Sequence, residues 1–131
     1  MSTIKVETIS NIAGTKTIDV EDTVDVRISA WVNFNGTGTV AIRDDFNVSS
    51  ITDNGTAYYT INFSTTMADT NYCWVGSAGH DTVSQQVWVS SPSSVAYTTW
   101  KTTSGIRLVA VYGNTLLNID PVDFNVTVFG G

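Results

Sequence analysis

The chain has 131 residues, enough for one domain with a hydrophobic core and too few for two ordinary domains. Only 14% of the residues are charged, the formal net charge is −6, and the six Lys and Arg residues are scattered along the chain. This composition argues against nucleic-acid binding. The sequence also shows no apolar signal core and no run of about 20 apolar residues, so we expect no membrane insertion.

The first 25 residues differ from the rest because they lack aromatic side chains and end in an acidic run, Asp19, Glu21, Asp22 and Asp25. We expect residues 1–25 to form an extended N-terminal arm or neck. Such an arm has no core of its own, so it needs the body or a partner chain to bury its apolar side chains. These are Ile4, Val6, Ile9 and Ile12.

Short segments of period-two alternation, bounded by Gly, Asn, Asp and Pro, recur along the whole sequence. Candidate strands are residues 4–9, 26–34, 39–43, 46–51, 57–63, 72–76, 83–90, 95–101, 106–112 and 124–129. Strands at this spacing predict an all-β fold in which residues 26–131 form an antiparallel, jelly-roll-like β-sandwich head. The pattern does not distinguish a sandwich from a closed barrel.

Asn54-Gly55 predicts a type I′ hairpin, because this turn needs positive φ at both central residues. A two-residue loop would pair Ile51 with Tyr58, Val48 with Ile61 and Phe46 with Phe63. In that register Phe46, Val48, Tyr59, Ile61 and Phe63 share the buried face, whereas Asn47 and Asn62 are exposed.

The sequence shows no clear constellation of catalytic residues. The single histidine, His80, lies beside Asp81 in a polar loop without a nucleophile elbow, and we expect it to be exposed. Cys73 lies in an apolar run and is expected to be a buried free thiol. We therefore expect no enzymatic activity and no cofactor.

The two acidic clusters, Asp44-Asp45 and the run from Asp19 to Asp25, could hold a hard cation. Neither has the spacing of a calcium loop, and one His with one Cys cannot form a zinc site alone. We expect no metal, and the run from Asp19 to Asp25 remains the place where an ion would bind.

Aromatic residues offer the best candidates for a binding surface. Trp74 and Trp88 lie in predicted strands, so at least one should belong to the core. Tyr97 and Trp100 are three residues apart in a predicted strand and should face opposite sides. Whichever points outward is a candidate for receptor or glycan binding.

Residues 30–43 (AWVNFNGTGTVAIR) and 46–56 (FNVSSITDNGT) resemble segments of the tail-fibre proteins of bacteriophages, notably marine ones. The resemblance continues in residues 59–63 (YTINF) and 67–72 (MADTNY), and residues 4–6 and 9–15 resemble the neck that precedes such heads. It implies a homotrimeric β-sandwich displayed on a virion and used for attachment, and it carries over no catalytic residue.

We therefore expect a virion structural protein of the tail-fibre type, assembled in the host cytoplasm and located on the tail or capsid surface. The N-terminal arm would dock onto other virion proteins, and the head would contact a host surface glycan. Three arms around one axis would bury Ile4, Val6, Ile9 and Ile12, at about 1.5–3 kcal/mol for each side chain. A capsid decoration (cement) protein and a lectin-like carbohydrate-binding module remain alternatives.

Overall fold

A computed structural model describes residues 8–10, 17–19, 28–81, 87–93, 97–113 and 117–131. These ranges contain short strands and one helical turn. The elements are β1 (Thr8–Ser10), β2 (Thr17–Asp19), β3 (Ile28–Asn35), β4 (Ala41–Phe46), β5 (Val48–Asp53), β6 (Tyr58–Phe63), β7 (Cys73–Gly79), β8 (Val87–Ser90), α1 (Tyr97–Trp100), β9 (Lys101–Thr102), β10 (Gly105–Tyr112), β11 (Leu117–Asn118) and β12 (Asp123–Phe129).

Ten of these strands form one antiparallel sheet with the order β4-β3-β12-β7-β8-β10-β6-β5, in which β9 and β11 also pair with β10. Among the described residues, one pair, Ala78 with Val87, links β7 to β8. This link divides the sheet into a first half (β4, β3, β12, β7) and a second half (β8, β10, β6, β5) whose inner faces pack together. The predicted all-β antiparallel sandwich is confirmed, and the sheet is nearly closed into a barrel.

Of the predicted arm, the structure describes only β1 and β2, which pair antiparallel with Ile9 opposite Ile18. The other arm residues, including Ile4, Val6, Ile12 and the acidic run beyond Asp19, lie outside the described residues. The arm and the trimer that depends on it therefore stay predictions.

Three aromatic rings hold the two halves together. Phe34 of β3 and Phe124 of β12 stack with centroids 4.8 Å apart, and the Tyr59 ring of β6 meets both edge-on at 5.2 and 5.4 Å. All three side chains are fully buried. Such edge and stacked pairs contribute about 0.5–1.5 kcal/mol each beyond their burial.

The Tyr59 hydroxyl adds hydrogen bonds to this aromatic contact, and we call these hydrogen bonds the anchor. It lies 2.9 Å from Asp120 Oδ1 and 3.0 Å from the Gly36 carbonyl oxygen, and Asp120 Oδ1 also accepts the Ala57 backbone N–H at 2.6 Å. Burial and the hydrogen bond to Asp120 raise the pKa of Tyr59, so the phenol stays protonated. A Cβ at Gly36 would lie 2.5 Å from this hydroxyl oxygen, so the position needs glycine.

We expect Tyr59→Phe to lower the free energy of unfolding by about 1–3 kcal/mol, because it removes the buried hydroxyl that donates to the Gly36 carbonyl and to Asp120. Tyr58→Phe is the matched control, since Tyr58 is only half-buried on the opposite side of the same strand. Urea denaturation of both variants measures the difference, and equal midpoints would contradict the anchor.

The predicted hairpin register between β5 and β6 is wrong, by three residues near the turn and by two residues at Val48, which pairs with Phe63 rather than Ile61. Ile51 pairs with Ile61 rather than Tyr58, and a bulge lies between Val48 and Ser50. The turn is longer than two residues. Its ends are joined by a hydrogen bond from the Asn54 N–H to the Tyr58 carbonyl, and Ala57 within it takes a φ of 70°. The Asp120 carboxylate, 63 residues away, holds the Ala57 N–H in this position.

The chain turns a corner at Asn47, where it leaves β4 in the first half of the sheet and enters β5 in the second half. The φ of Asn47 is 56°, and its Nδ2 donates to the carbonyls of Ser29 (2.9 Å) and Thr65 (3.2 Å), while Oδ1 accepts the Thr65 N–H at 2.7 Å. The expected burial was therefore wrong at this point, because the corner leaves Phe46 53% exposed and half-buries Asn47.

The other hairpin burial predictions have mixed outcomes. Val48, Tyr59, Ile61 and Phe63 are buried as predicted. Asn62 is half-buried rather than exposed, because its Nδ2 donates to the hydroxyls of Ser50 and Thr52 on β5.

Asn47→Asp should destabilise the protein by about 1–3 kcal/mol, because a carboxylate would face the two carbonyls that now accept hydrogen bonds. Asn71→Asp makes the same charge change at an exposed position and should have little effect. Thermal melting of the two variants at neutral pH compares them, and similar midpoints would show that the corner does not depend on the amide.

Candidate recognition face

The side of the first half that points away from the core carries two parallel rows of side chains. We call this side the outer face. Strand registers define the first row, the Trp31 row, as Val75, Thr127, Trp31 and Phe46 on neighbouring strands β7, β12, β3 and β4. Val75 is 59% and Phe46 is 53% exposed, and Trp31 is half-buried. The row therefore presents apolar side chains to solvent at both of its ends, Val75 and Phe46.

The second row, the Asn33 row, consists of Ser77, Asn125, Asn33 and Asp44 on the same four strands. It is two residues further along each strand, roughly 7 Å from the Trp31 row. Asn33 Nδ2 donates to Asn125 Oδ1 at 2.7 Å and to Asp123 Oδ1 at 2.6 Å, and Asn125 Nδ2 donates to Asp123 Oδ2 at 2.7 Å. These hydrogen bonds hold the side-chain amides of Asn33 and Asn125 in fixed orientations.

Arg43 closes this network at the edge of the sheet. The bulge in β4 after Asn33 of β3 frees Arg43 from pairing, and its Nη1 reaches across β3 to Asp123 Oδ1 at 3.1 Å. Hydrogen bonds from Asn33 and Asn125, together with the Arg43 charge, lower the pKa of Asp123 below its ordinary value. Asp123 is therefore a carboxylate at neutral pH.

A shallow cavity of about 210 Å³ lies beside these rows, between β7 and β12. Its lining combines members of both rows, Val75 and Thr127 from one and Ser77 and Asn125 from the other. Apolar surface and polar groups therefore meet in one shallow depression.

Because its pKa is lower in the folded state, ionised Asp123 stabilises the fold above its unfolded-state pKa, and this contribution disappears as pH falls below about 4. Asp123→Asn should reduce the stability at pH 7 and weaken the loss of stability on acidification. Asp45→Asn, the same charge change on β4, is the control for net charge. Urea midpoints measured from pH 7 to pH 3 test this, and parallel curves for wild type and Asp123→Asn would contradict it.

The two residues predicted to bind a receptor or glycan do not lie in a strand. Residues 97–100 form α1, so the expectation of opposite strand faces at Tyr97 and Trp100 is wrong. Strands β8 and β9 already occupy most of the adjoining side of β10, at residues 109–112 and 105–106, which leaves little edge for a further strand. Trp100 is half-buried and packs against the core.

The structure also tests the expectations for the two tryptophans, Cys73 and His80. Trp74 packs against the core and Trp88 is 43% exposed, which confirms that at least one of them is a core residue. Cys73 is exposed rather than buried, because Tyr72 and Trp74 take the inward positions on either side of it. The His80 side chain is only 15% exposed, contrary to expectation, and its Nδ1 lies 3.5 Å from Asp81 Oδ1.

Within the described part of the chain, no three His, Cys, Asp or Glu side chains come together as a metal site would require. The described helix is also far too short to cross a membrane. Of the acidic run from Asp19 to Asp25, only the backbone of Asp19 is described, so the predicted location of an ion lies outside these residues.

Comparison with known proteins gave no match to a protein-family model, to a curated protein or to a solved structure. The sequence alone does not indicate Trp31, Asn33, Asp123 or Asn125 as site residues, and it suggests Asp44 only as a possible cation ligand. The sequence shows that the first four of these residues alternate with apolar neighbours. It does not show that β3 pairs with β12 from the other end of the chain, which is what brings them together.

Proposed function

We propose that the chain is a non-enzymatic structural protein of a bacteriophage virion, of the tail-fibre type, that contacts the host surface through its outer face. The observation that carries the proposal is the combination, on four paired strands, of an exposed apolar row and a hydrogen-bonded polar row. Exposed apolar surface rimmed by polar groups is typical of interaction sites. Sites on rigid strands bind without prior reordering.

The sequence resemblance to tail-fibre proteins supports the same proposal. The two resembling segments, residues 30–43 and 46–56, build β3, most of β4 and β5. They contain Trp31, Asn33 and Phe46, three of the eight residues that make up the two rows. The segments that carry the resemblance are thus also segments that form the proposed contact surface.

We also propose that the protein is a homotrimer whose N-terminal arm docks onto other virion proteins. The support is the apolar content of the arm, since Ile4, Val6, Ile9 and Ile12 need a partner for burial. Attachment through the arm would leave the sandwich free to contact the host.

Cryo-electron microscopy of the phage that encodes the chain, with gold-labelled antibodies against the full-length protein, tests this proposal. We expect label at the tail and threefold density for the sandwich. Label on the capsid would instead support a decoration protein, and a particle without label would overturn a virion role altogether. Particles labelled with non-immune antibody are the control.

A further inference from the structure

We propose that the outer face binds a neutral saccharide, with a sugar ring against Trp31 and Phe46 and its hydroxyl groups bonded to the Asn33 row. The inference deepens the proposed attachment function, on which it rests, by naming the chemical class of the ligand. A pyranose ring suits a surface of this kind because it presents C–H groups on its faces and hydroxyl groups around its edge.

The spacing of the two rows fits one sugar unit. Trp31 and Asn33 point outward from the same strand two residues apart, a separation of roughly 7 Å. Phe46 and Asp44 repeat this arrangement on the neighbouring strand, about 4.8 Å away. A ring lying on the aromatic pair therefore has the polar pair within reach of its edge.

The Asn33 row offers more acceptors than donors. Both hydrogens of Asn33 Nδ2 are used within the network, so Asn33 can offer a ligand only its Oδ1 acceptor. Asp44 uses Oδ1 to accept the Asp45 N–H at 3.0 Å and retains Oδ2. Asn125 keeps one N–H for donation, since its other hydrogen goes to Asp123. Sugar hydroxyls donate as well as accept, so they match this set.

The charge of the face selects against acidic ligands. On this face Asp44 and Asp123 supply two negative charges, and Arg43, the cation that reaches Asp123, supplies one positive charge. Sialic or uronic acids would bring carboxylates beside these groups and be repelled. Neutral hexoses and N-acetylhexosamines carry no such penalty.

The same charges disfavour a second copy of the chain as the occupant. An association through this face would place carboxylates and unpaired acceptors against their own copies, and burying unpaired charges is unfavourable. A neutral ligand rich in hydroxyl groups avoids this conflict, because each hydroxyl can turn its hydrogen toward an acceptor.

The test uses the full-length protein on a printed array of neutral glucans, mannans, galactans and N-acetylhexosamine oligomers, beside sialylated and uronic-acid oligosaccharides. We expect binding to neutral spots only, and titration calorimetry with the best-bound oligosaccharide then gives its affinity. Phe46→Ala and Asp44→Ala should each weaken binding at least tenfold. Trp88→Ala, an exposed aromatic on the other half, and Asp69→Ala, an exposed acid outside both rows, should leave affinity unchanged.

Four results would overturn the inference. They are no bound spot on the array, binding to acidic spots alone, unchanged affinity in both Phe46→Ala and Asp44→Ala, and dissociation of an oligomer by Phe46→Ala in light scattering. Melting curves of each variant establish that it is folded, and Asp44→Ala tests the face even where Phe46→Ala does not fold. Protein located on the virion tail without glycan binding would leave the proposed function standing and refute only the saccharide.

Discussion

The stacked pair of Phe34 and Phe124, capped edge-on by Tyr59, determines both the core and the outer face. Phe34 pairs with Phe124 across β3 and β12, and the next pair in the same ladder is Asn33 with Asn125. The register that brings two rings into contact inside the sandwich therefore places two amides side by side outside it. A slip of one residue in either strand would turn that strand's side chains to the opposite faces, burying its amide and exposing its ring. Core packing and surface chemistry are thus specified by the same set of backbone hydrogen bonds.

The edge strand β4 both prevents further strand pairing and contributes side chains to the outer face. Its free edge carries Arg43, Asp44 and Asp45, and charges on an edge discourage pairing with strands of other molecules. Two of these residues also belong to the polar surface, since Arg43 holds Asp123 and Asp44 completes the Asn33 row. The residues that keep the sheet from extending are therefore the ones that shape its contact surface.

Local alternation made much of the fold predictable. Ala30, Val32 and Phe34 are buried in β3, and Phe124, Val126 and Val128 are buried in β12, as their period-two pattern indicates. The hairpin register was not predictable, because Ala57 is held by Asp120 from a distant part of the chain. Asn47 was misjudged for a related reason, since its corner depends on the carbonyls of Ser29 and Thr65. The candidate site escaped prediction because its rows exist only once strands from both ends of the chain lie together.

The placement of Ile28 and Gly131 has a mechanical consequence. Both residues line one cavity at the end of the sandwich, where the first residue of β3 pairs with the last residue of β12. Tension applied between these two points would act across the β3 and β12 ladder and open its hydrogen bonds one pair at a time. Strands pulled along their length would instead have to break many bonds together. The sandwich should therefore yield at low force to a load that enters at residue 28 and leaves at residue 131. Phe34 and Phe124, at the far end of the ladder, would be the last pair to separate.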